Sequence, residues 1–520
     1  MREVERGRST GRPPDRPGNS AIWGLLGLAL VLRVVNAWKS YNIDEIYTLQ
    51  YSGPPFSRLF DYIATHDTHP PLYYVLIHFW RLVSSAELWV RMPNILLGVG
   101  TCYVTYLIAA QFVSRRGAIM ALFLAATAPT LVWVSQEARN YALMGFSAGL
   151  STYFMIKILH APKSKYWIGY VLAAAAGVYS FYYGALVIIA QNLAFLLSFP
   201  KGWKTVRNWM VAQAAVLLLF LPWLPSFMTQ ASVVHTDVTS NRPLPVKDVA
   251  VLWNSVVTSV EPLAVTQLLL RVRPIMVFHV VSSLLTVAAV LAIAYAVWRK
   301  KRSTGVWGLR DGWPYVFLIT LVAAVGLEAL AFRMALNVFF STRYFCFLSI
   351  FGSVLAAMLL GGVRPRLAWG IIVILLAVQI PRFGRLYAVT EDWRGVSDFL
   401  EARVTPDDYV AIISYHSAPC IRHYAGKGLK VHGLPFDVPG VKREPAGLDF
   451  VQAVRPGDMP AIGKELRKHK ETWMVWSHVK RGPVDRGERL MKAWFAGNGY
   501  VVVRASQFPG IQVEQYSNAH

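Results

Sequence analysis

The chain has 520 residues, 55% of them hydrophobic and only 16% charged. Soluble proteins carry roughly 25% charged residues, so this composition excludes an ordinary soluble globular protein and points to lipid as the solvent. The net charge of +23 invites nucleic acid as a partner. Lys and Arg, however, gather in short connections between apolar segments, as the positive-inside rule predicts, and no basic stripe with interleaved aromatics accompanies them. Nucleic-acid binding is therefore set aside. Cys102, Cys346 and Cys420 are scattered, which predicts neither a disulfide framework nor a metal cluster.

Residues 1–19 are polar and rich in Pro and Gly, which predicts a disordered tail. The next apolar stretch lacks a small-residue cleavage site and reads as a retained anchor. A membrane span needs about 20 mostly apolar residues. On that measure residues 20–386 hold about eleven spans, at 20–38, 91–113, 117–134, 141–159, 167–183, 184–199, 209–229, 275–298, 313–332, 343–361 and 367–384. The division at 183/184 asks the YSFYYG stretch to turn the chain between two helices.

The basic connections at Arg115-Arg116, Lys163/Lys165, Lys201/Lys204/Arg207, 299–302 and Arg364/Arg366 fall in alternate loops. They agree on one side, the cytoplasmic one. The N-terminus is then cytoplasmic and the C-terminus extracytoplasmic, as expected of a multi-pass protein of the inner (plasma) membrane. The first outer loop is 39–90 and a later one is 230–274, where His235, Asp237 and Glu261 would cover a site as a lid. Within the first loop, residues 71–83 are apolar but too short to span, and read as an interfacial helix entered through Pro. From 387 to 520 helical and strand-like patterns alternate, with strands expected at DYVAIIS, TWMVWSH and YVVVRAS. That alternation predicts a small extracytoplasmic α/β domain.

The first outer loop crowds Asp44, Glu45, Asp61, His66, Asp67 and His69 beside the first span. Glu137 and Arg139 stand in a second short outer connection, and Glu328 lies inside a later span. Ionisable groups at membrane depth are costly and usually functional. Two acids at helix ends on separate outer loops, Asp44 and Glu137, are placed to supply a general base and a second base or metal ligand. Arg343-Tyr344 opens a span at the level where a lipid headgroup lies, and a leaving phosphate needs such donors. Arg91 reads as a simple interfacial anchor, and His66 and Asp67 as ordinary loop polar groups. No Gly-rich nucleotide-binding fingerprint and no D-x-D triplet occurs. Nucleotides stay inside the cell while these acids are expected outside, so group transfer at this face would need an activated donor carried across the membrane on lipid.

The order DE after the first span, then HPPLYY, SQEARNYAL and RYF, resembles the GT-C membrane glycosyltransferases. More narrowly it is similar to their protein-mannosyltransferase and aminoarabinose-transferase group. The resemblance covers roughly residues 20–385. It implies a polytopic α-helical membrane protein of GT-C architecture that transfers a sugar, with inversion, from a polyprenyl-phosphate donor to an extracytoplasmic glycan, lipid or protein. It implies Asp44 as the catalytic base, Glu45 as its support and Glu137 as the second acid. His69, Arg139, Arg343 and Tyr344 would meet the donor phosphate, and Asp44 with Glu137 would be the ligands of any divalent cation, Mg or Mn. A transporter or lipid-linked-sugar flippase is the rival reading, since many spans and buried charges fit it too.

Overall fold

The computed structural model describes residues 19–197, 202–237, 316–327, 341–361, 363–413, 415–426, 428–441, 454–477 and 483–518. The expected tail 1–18, the span at 275–298, most of the outer loop 230–274 with Glu261, and Glu328 lie outside these residues, as do the side chains of His235 and Asp237.

The membrane part begins with α1 (Asn19–Val34), which leads into the first outer loop. That loop is mostly helical: α2 (Ile43–Tyr51), α3 (Phe56–His66) and α4 (Leu72–Trp80). Then follow α5 (Glu87–Ala109), α6 (Arg115–Thr127), α7 (Pro129–Ser135), α8 (Tyr141–His160), α9 (Ser164–Ser180), α10 (Gly184–Leu197), α11 (Trp203–Phe220) and α12 (Leu224–Asp237). Later come α13 (Val316–Leu327), a 3-10 turn at Thr342–Phe345, α14 (Leu348–Leu360) and α15 (Pro365–Tyr387). Among the described residues, α5, α8 and the Trp203–Ala231 run are long and apolar enough to cross a membrane. The α6–α7 pair makes a fourth candidate if counted as one span, and α1, α10, α13 and α14 are shorter apolar helices. Helices α9 and α10 are separate, divided by Phe181, Tyr182 and Tyr183.

The span expected at 117–134 is a bent pair of helices, α6 and α7. It bends by 56° where Pro129 removes a backbone donor. Arg33, on α1, answers the break: its guanidinium donates to the carbonyls of Ala126 at 3.1 Å and Ala125 at 3.5 Å, to Ala29 O at 3.0 Å and to Ser135 Oγ at 3.2 Å. The Ala125 and Ala126 carbonyls lie at the C-terminal end of α6, where a cation is favoured. Only glycine fits at position 98 on α5, because a Cβ there would come within 2.0 Å of Ser135 Oγ. The break aims the next connection, 136–140, at the first outer loop.

Residues 391–518 carry α16 (Trp393–Glu401), β1 (Tyr409–Ile413), α17 (Ala418–Tyr424), β2 (Val431–Leu434), α18 (Met459–Leu466), β3 (Glu471–Ser477), α19 (Pro483–Gly497), β4 (Tyr500–Phe508) and β5 (Ile511–Asn518). The sheet order is β2-β1-β3-β5-β4. β1 runs parallel to β2 (Val410 opposite Val431) and to β3 (Tyr409 opposite Thr472), and β5 runs antiparallel to β3 and β4. Alternate residues of β1 and β3 face opposite sides of the sheet. Val410, Ile412, Trp473 and Val475 pack with Trp393 and Leu400 and, across the domain boundary, with Tyr41, Ile46, Leu49, Tyr73 and Ile77 of the first outer loop. The sheet and the loop therefore share one core.

Candidate active site

Helix α2 starts with a capping box: the Asn42 side chain accepts from the Glu45 N–H at 3.0 Å and Glu45 Oε2 accepts from the Asn42 N–H at 3.0 Å. This local device splits the acid pair. Glu45 turns inward, 1% exposed, and Arg91 on α5 grips it with two bonds, Nε to Oε1 at 2.7 Å and Nη2 to Oε2 at 2.6 Å. Oε1 also accepts from the Ala138 N–H at 2.7 Å. Arg91 Nη1 spends itself on the carbonyls of Ala37 and Lys39, at 2.8 and 2.6 Å. With bonds accepted from Asn42, from Arg91 twice and from Ala138, Glu45 holds together the loop that carries Asp44. Arg91 is not an interfacial anchor but the buried centre of that holding network.

Asp44 points the other way and keeps 34% of its side chain exposed. Arg343, in the 3-10 turn before α14, reaches it with Nη1 at 2.7 Å and reaches Glu137 Oε2 with the same atom at 3.5 Å. The structure therefore brings Asp44, Glu137 and Arg343 to one spot from three separate segments. Arg139 joins them, donating to the Asp44 carbonyl at 3.3 Å and to Thr48 Oγ1 at 3.2 Å. Asn94 fixes the turn that carries Glu137 and Arg139 by donating to both their carbonyls, the Arg139 bond at 2.6 Å. Glu137 Oε1 accepts from the Trp133 indole at 2.7 Å and from the Asn42 amide at 3.3 Å.

The charges differ in kind. Burial works against ionisation of Asp44, but the guanidiniums of Arg139 and Arg343 outweigh it and hold the carboxyl below the usual carboxylate range. Burial pushes Glu137 up, and the neighbouring Glu45 and Asp44 charges add to that while Arg343 opposes it. Both guanidiniums also keep an unmet need: among the described residues, the buried Nε of Arg139 and that of Arg343 have no hydrogen-bond partner. A buried N–H left unpaired costs about 1–3 kcal/mol, so these donors suit an anion that arrives.

His69 sits nearby through a relay that sequence reasoning missed. Asp67, counted above as a loop polar group, is buried; His69 Nδ1 lies 3.0 Å from its Oδ1 and the Tyr74 hydroxyl donates to its Oδ2. Burial opposes the Asp67 charge, but the His69 charge and hydrogen bond, with Arg139 and Tyr74, hold it below the usual range. A carboxylate only accepts, so the bond assigns the proton to Nδ1 and leaves Nε2 facing away from Asp67. The ring stacks on Phe181, 5.5 Å between centroids. Tyr344 packs against Tyr141 at 5.4 Å and Phe181 at 5.3 Å, and the Arg343 guanidinium lies 5.2 Å from the Tyr141 ring centre. The available signals were the D-x-H spacing before Pro-Pro and the N-x-x-E cap at 42–45.

A divalent cation bridging Asp44 and Glu137 would need the place that Arg343 Nη1 takes. Among the described residues no group of three His, Cys, Asp or Glu is arranged to hold a metal ion. The residues as placed do not fit a bridging ion.

The helical membrane part of the chain is similar in fold to solved membrane glycosyltransferases of the GT-C type. Residues 68–225 match the family model described as dolichyl-phosphate-mannose-protein mannosyltransferase. Among solved structures, ArnT from Cupriavidus metallidurans in the apo state superposes with a TM-score of 0.58 at 12% identity, covering 96% of this chain and 98% of that one. ArnT bound to undecaprenyl phosphate gives 0.56 at 13% identity. A putative mannosyltransferase of Bacillus subtilis, YkcB, is 24% identical over 202 residues, which are 37% of this chain and 28% of that protein.

Proposed function

We propose that this chain is an inverting glycosyltransferase of the inner membrane that moves a sugar from a polyprenyl-phosphate donor to an acceptor hydroxyl on the extracytoplasmic side. The observation that carries the reading is the Asp44–Arg343–Glu137 cluster, in which one acid stays one-third exposed while two adjacent guanidiniums carry buried N–H groups that have no partner among the described residues. Asp44 takes the proton of the acceptor hydroxyl as that oxygen attacks the anomeric carbon. The bond from that carbon to the phosphate oxygen breaks, its electron pair leaving on the phosphate. Arg343, Arg139 and His69 receive the growing negative charge. The undecaprenyl phosphate in the ArnT complex supports a polyprenyl-phosphate donor. Glu137, raised toward its neutral form by burial, orients the acceptor and Arg343.

Purified protein incubated with labelled polyprenyl-phosphate sugar and a cell-envelope extract tests this. The expected result is free polyprenyl phosphate together with labelled acceptor, abolished in Asp44→Asn. Movement of intact donor across liposomes with no sugar released would favour the flippase and end the proposal.

A further inference from the structure

We propose that the soluble domain sets the position of Asp44, with Glu391 as a positioning residue for α2. This rests on the reading of Asp44 as the base.

The first N–H groups of a helix have no partner inside it. In α2 the cap residue serves Glu45, while the N–H of Ile43, one residue before Asp44, donates to Glu391 Oε2 at 3.3 Å. A carboxylate at a helix N-terminus is also favoured by the helix dipole. Glu391 is itself held: the Trp393 indole donates to the same oxygen at 2.9 Å, and the Glu391 carbonyl accepts from Ser40 Oγ at 2.7 Å. The β4–β5 turn closes on this segment from behind. The Asp392 N–H donates to the Pro509 carbonyl at 3.2 Å. Gly510, at φ +69°, lies so near Thr390 that a Cβ would come within 2.1 Å of its carbonyl oxygen. One turn along α2, the Tyr47 hydroxyl donates to the His416 carbonyl at 3.0 Å. The end of α15 adds two more ties, Asn36 Nδ2 to the Tyr387 carbonyl at 2.5 Å and Lys39 Nζ to the Leu386 carbonyl at 3.2 Å. The helix bearing Asp44 is thus registered by residues more than 300 positions away in sequence. An ångström of misplacement at a reacting group costs up to about 100-fold in rate.

The test uses the full chain in detergent or nanodiscs, with undecaprenyl-phosphate mannose as donor probe and a cell-envelope extract as acceptor source. Glu391→Ala is expected to lower kcat roughly 10-fold with the donor KM and melting temperature unchanged. Amide hydrogen exchange in residues 41–51 should quicken. Glu391→Gln, which keeps an acceptor oxygen, should restore both values. Unchanged exchange across 41–51 in Glu391→Ala overturns the proposal, and so does quickened exchange with an unchanged kcat. A loss of melting temperature that Glu391→Gln fails to repair also overturns it, because it shows a structural role alone. Normal turnover in Asp44→Asn is a different failure, that of the base assignment, and is read from Asp44 without reference to Glu391.

Discussion

Two ion clusters lie within one turn of helix α2, and they are built on opposite rules. In the Glu45–Arg91 cluster both carboxylate oxygens and the guanidinium are engaged by Arg91, Asn42, Ala138 and the carbonyls of Ala37, Lys39 and Ser40, and the pair is closed to solvent. In the Asp44–Arg343–Glu137 cluster one cation serves two acids at unequal distance, Asp44 is one-third exposed, and the Nε atoms of Arg343 and Arg139 have no partner among the described residues. A saturated buried pair has no reason to change on binding. An unsaturated one gains bonds when an anion arrives. Hydrogen-bond accounting, more than charge or burial, separates the closed acid from the one proposed as the base although they are adjacent in sequence.

The comparison breaks most visibly at Asp44. Asp44→Asn should cost about 100- to 10,000-fold in transfer, the range of a general base, with the melting temperature held, as read by donor turnover beside thermal denaturation. Arg91→Leu should do the reverse. Removing one partner of a buried pair costs about 3–5 kcal/mol, so yield and melting temperature should collapse; a protein of ordinary stability would show that the closed cluster is dispensable.

Arg343→Gln sharpens the other side. Arg343 is one of the groups that depress Asp44, beside Arg139 and His69, so its loss should move the acid limb of the pH–rate profile to higher pH. The sign follows from linkage: a depressed carboxyl stays ionised until pH falls through its lowered value, and without the cation it protonates sooner. Turnover should also drop about 10-fold or more as phosphate contact is lost, and an acid limb that stays in place would remove Arg343 as the cause. The smallest effect is expected at Glu137→Gln. Because burial raises Glu137 in the fold, ionising it costs stability above its unfolded pKa, and the amide should leave the melting temperature equal or higher while slowing transfer. A clear fall in melting temperature would show Glu137 to be a structural anion.

Much of the site was legible because membrane composition makes ionisable residues conspicuous: Asp44, Glu137, His69, Arg139 and Arg343 stand out against apolar neighbours. The structure places the first and last of these 2.7 Å apart. What sequence could not supply was direction. Successive residues at a helix start point to different faces, so the DE pair read as one unit although its members serve different clusters. Arg91 looked like an anchor because its partner lies 46 positions earlier in a loop. Arg33 went unnoticed because its role depends on the bend after Thr127, a tertiary event. In the sheet, β2 and β5 escaped because β2 is four residues with a glycine and β5 alternates apolar with polar residues. Neither offers the apolar run that marked β1 and β3.

The Glu45–Arg91 pair carries a consequence for assembly. Arg91 stands one turn into α5, a helix that must settle in the bilayer, and a bare guanidinium there is expensive. Its four acceptor residues, Ala37, Lys39, Ser40 and Glu45, all precede it in the chain, so they have already left the ribosome when it emerges. Every group that satisfies Arg91 is thus available to this helix before any of the sheet domain exists, so covering the guanidinium needs nothing from residues 391–518.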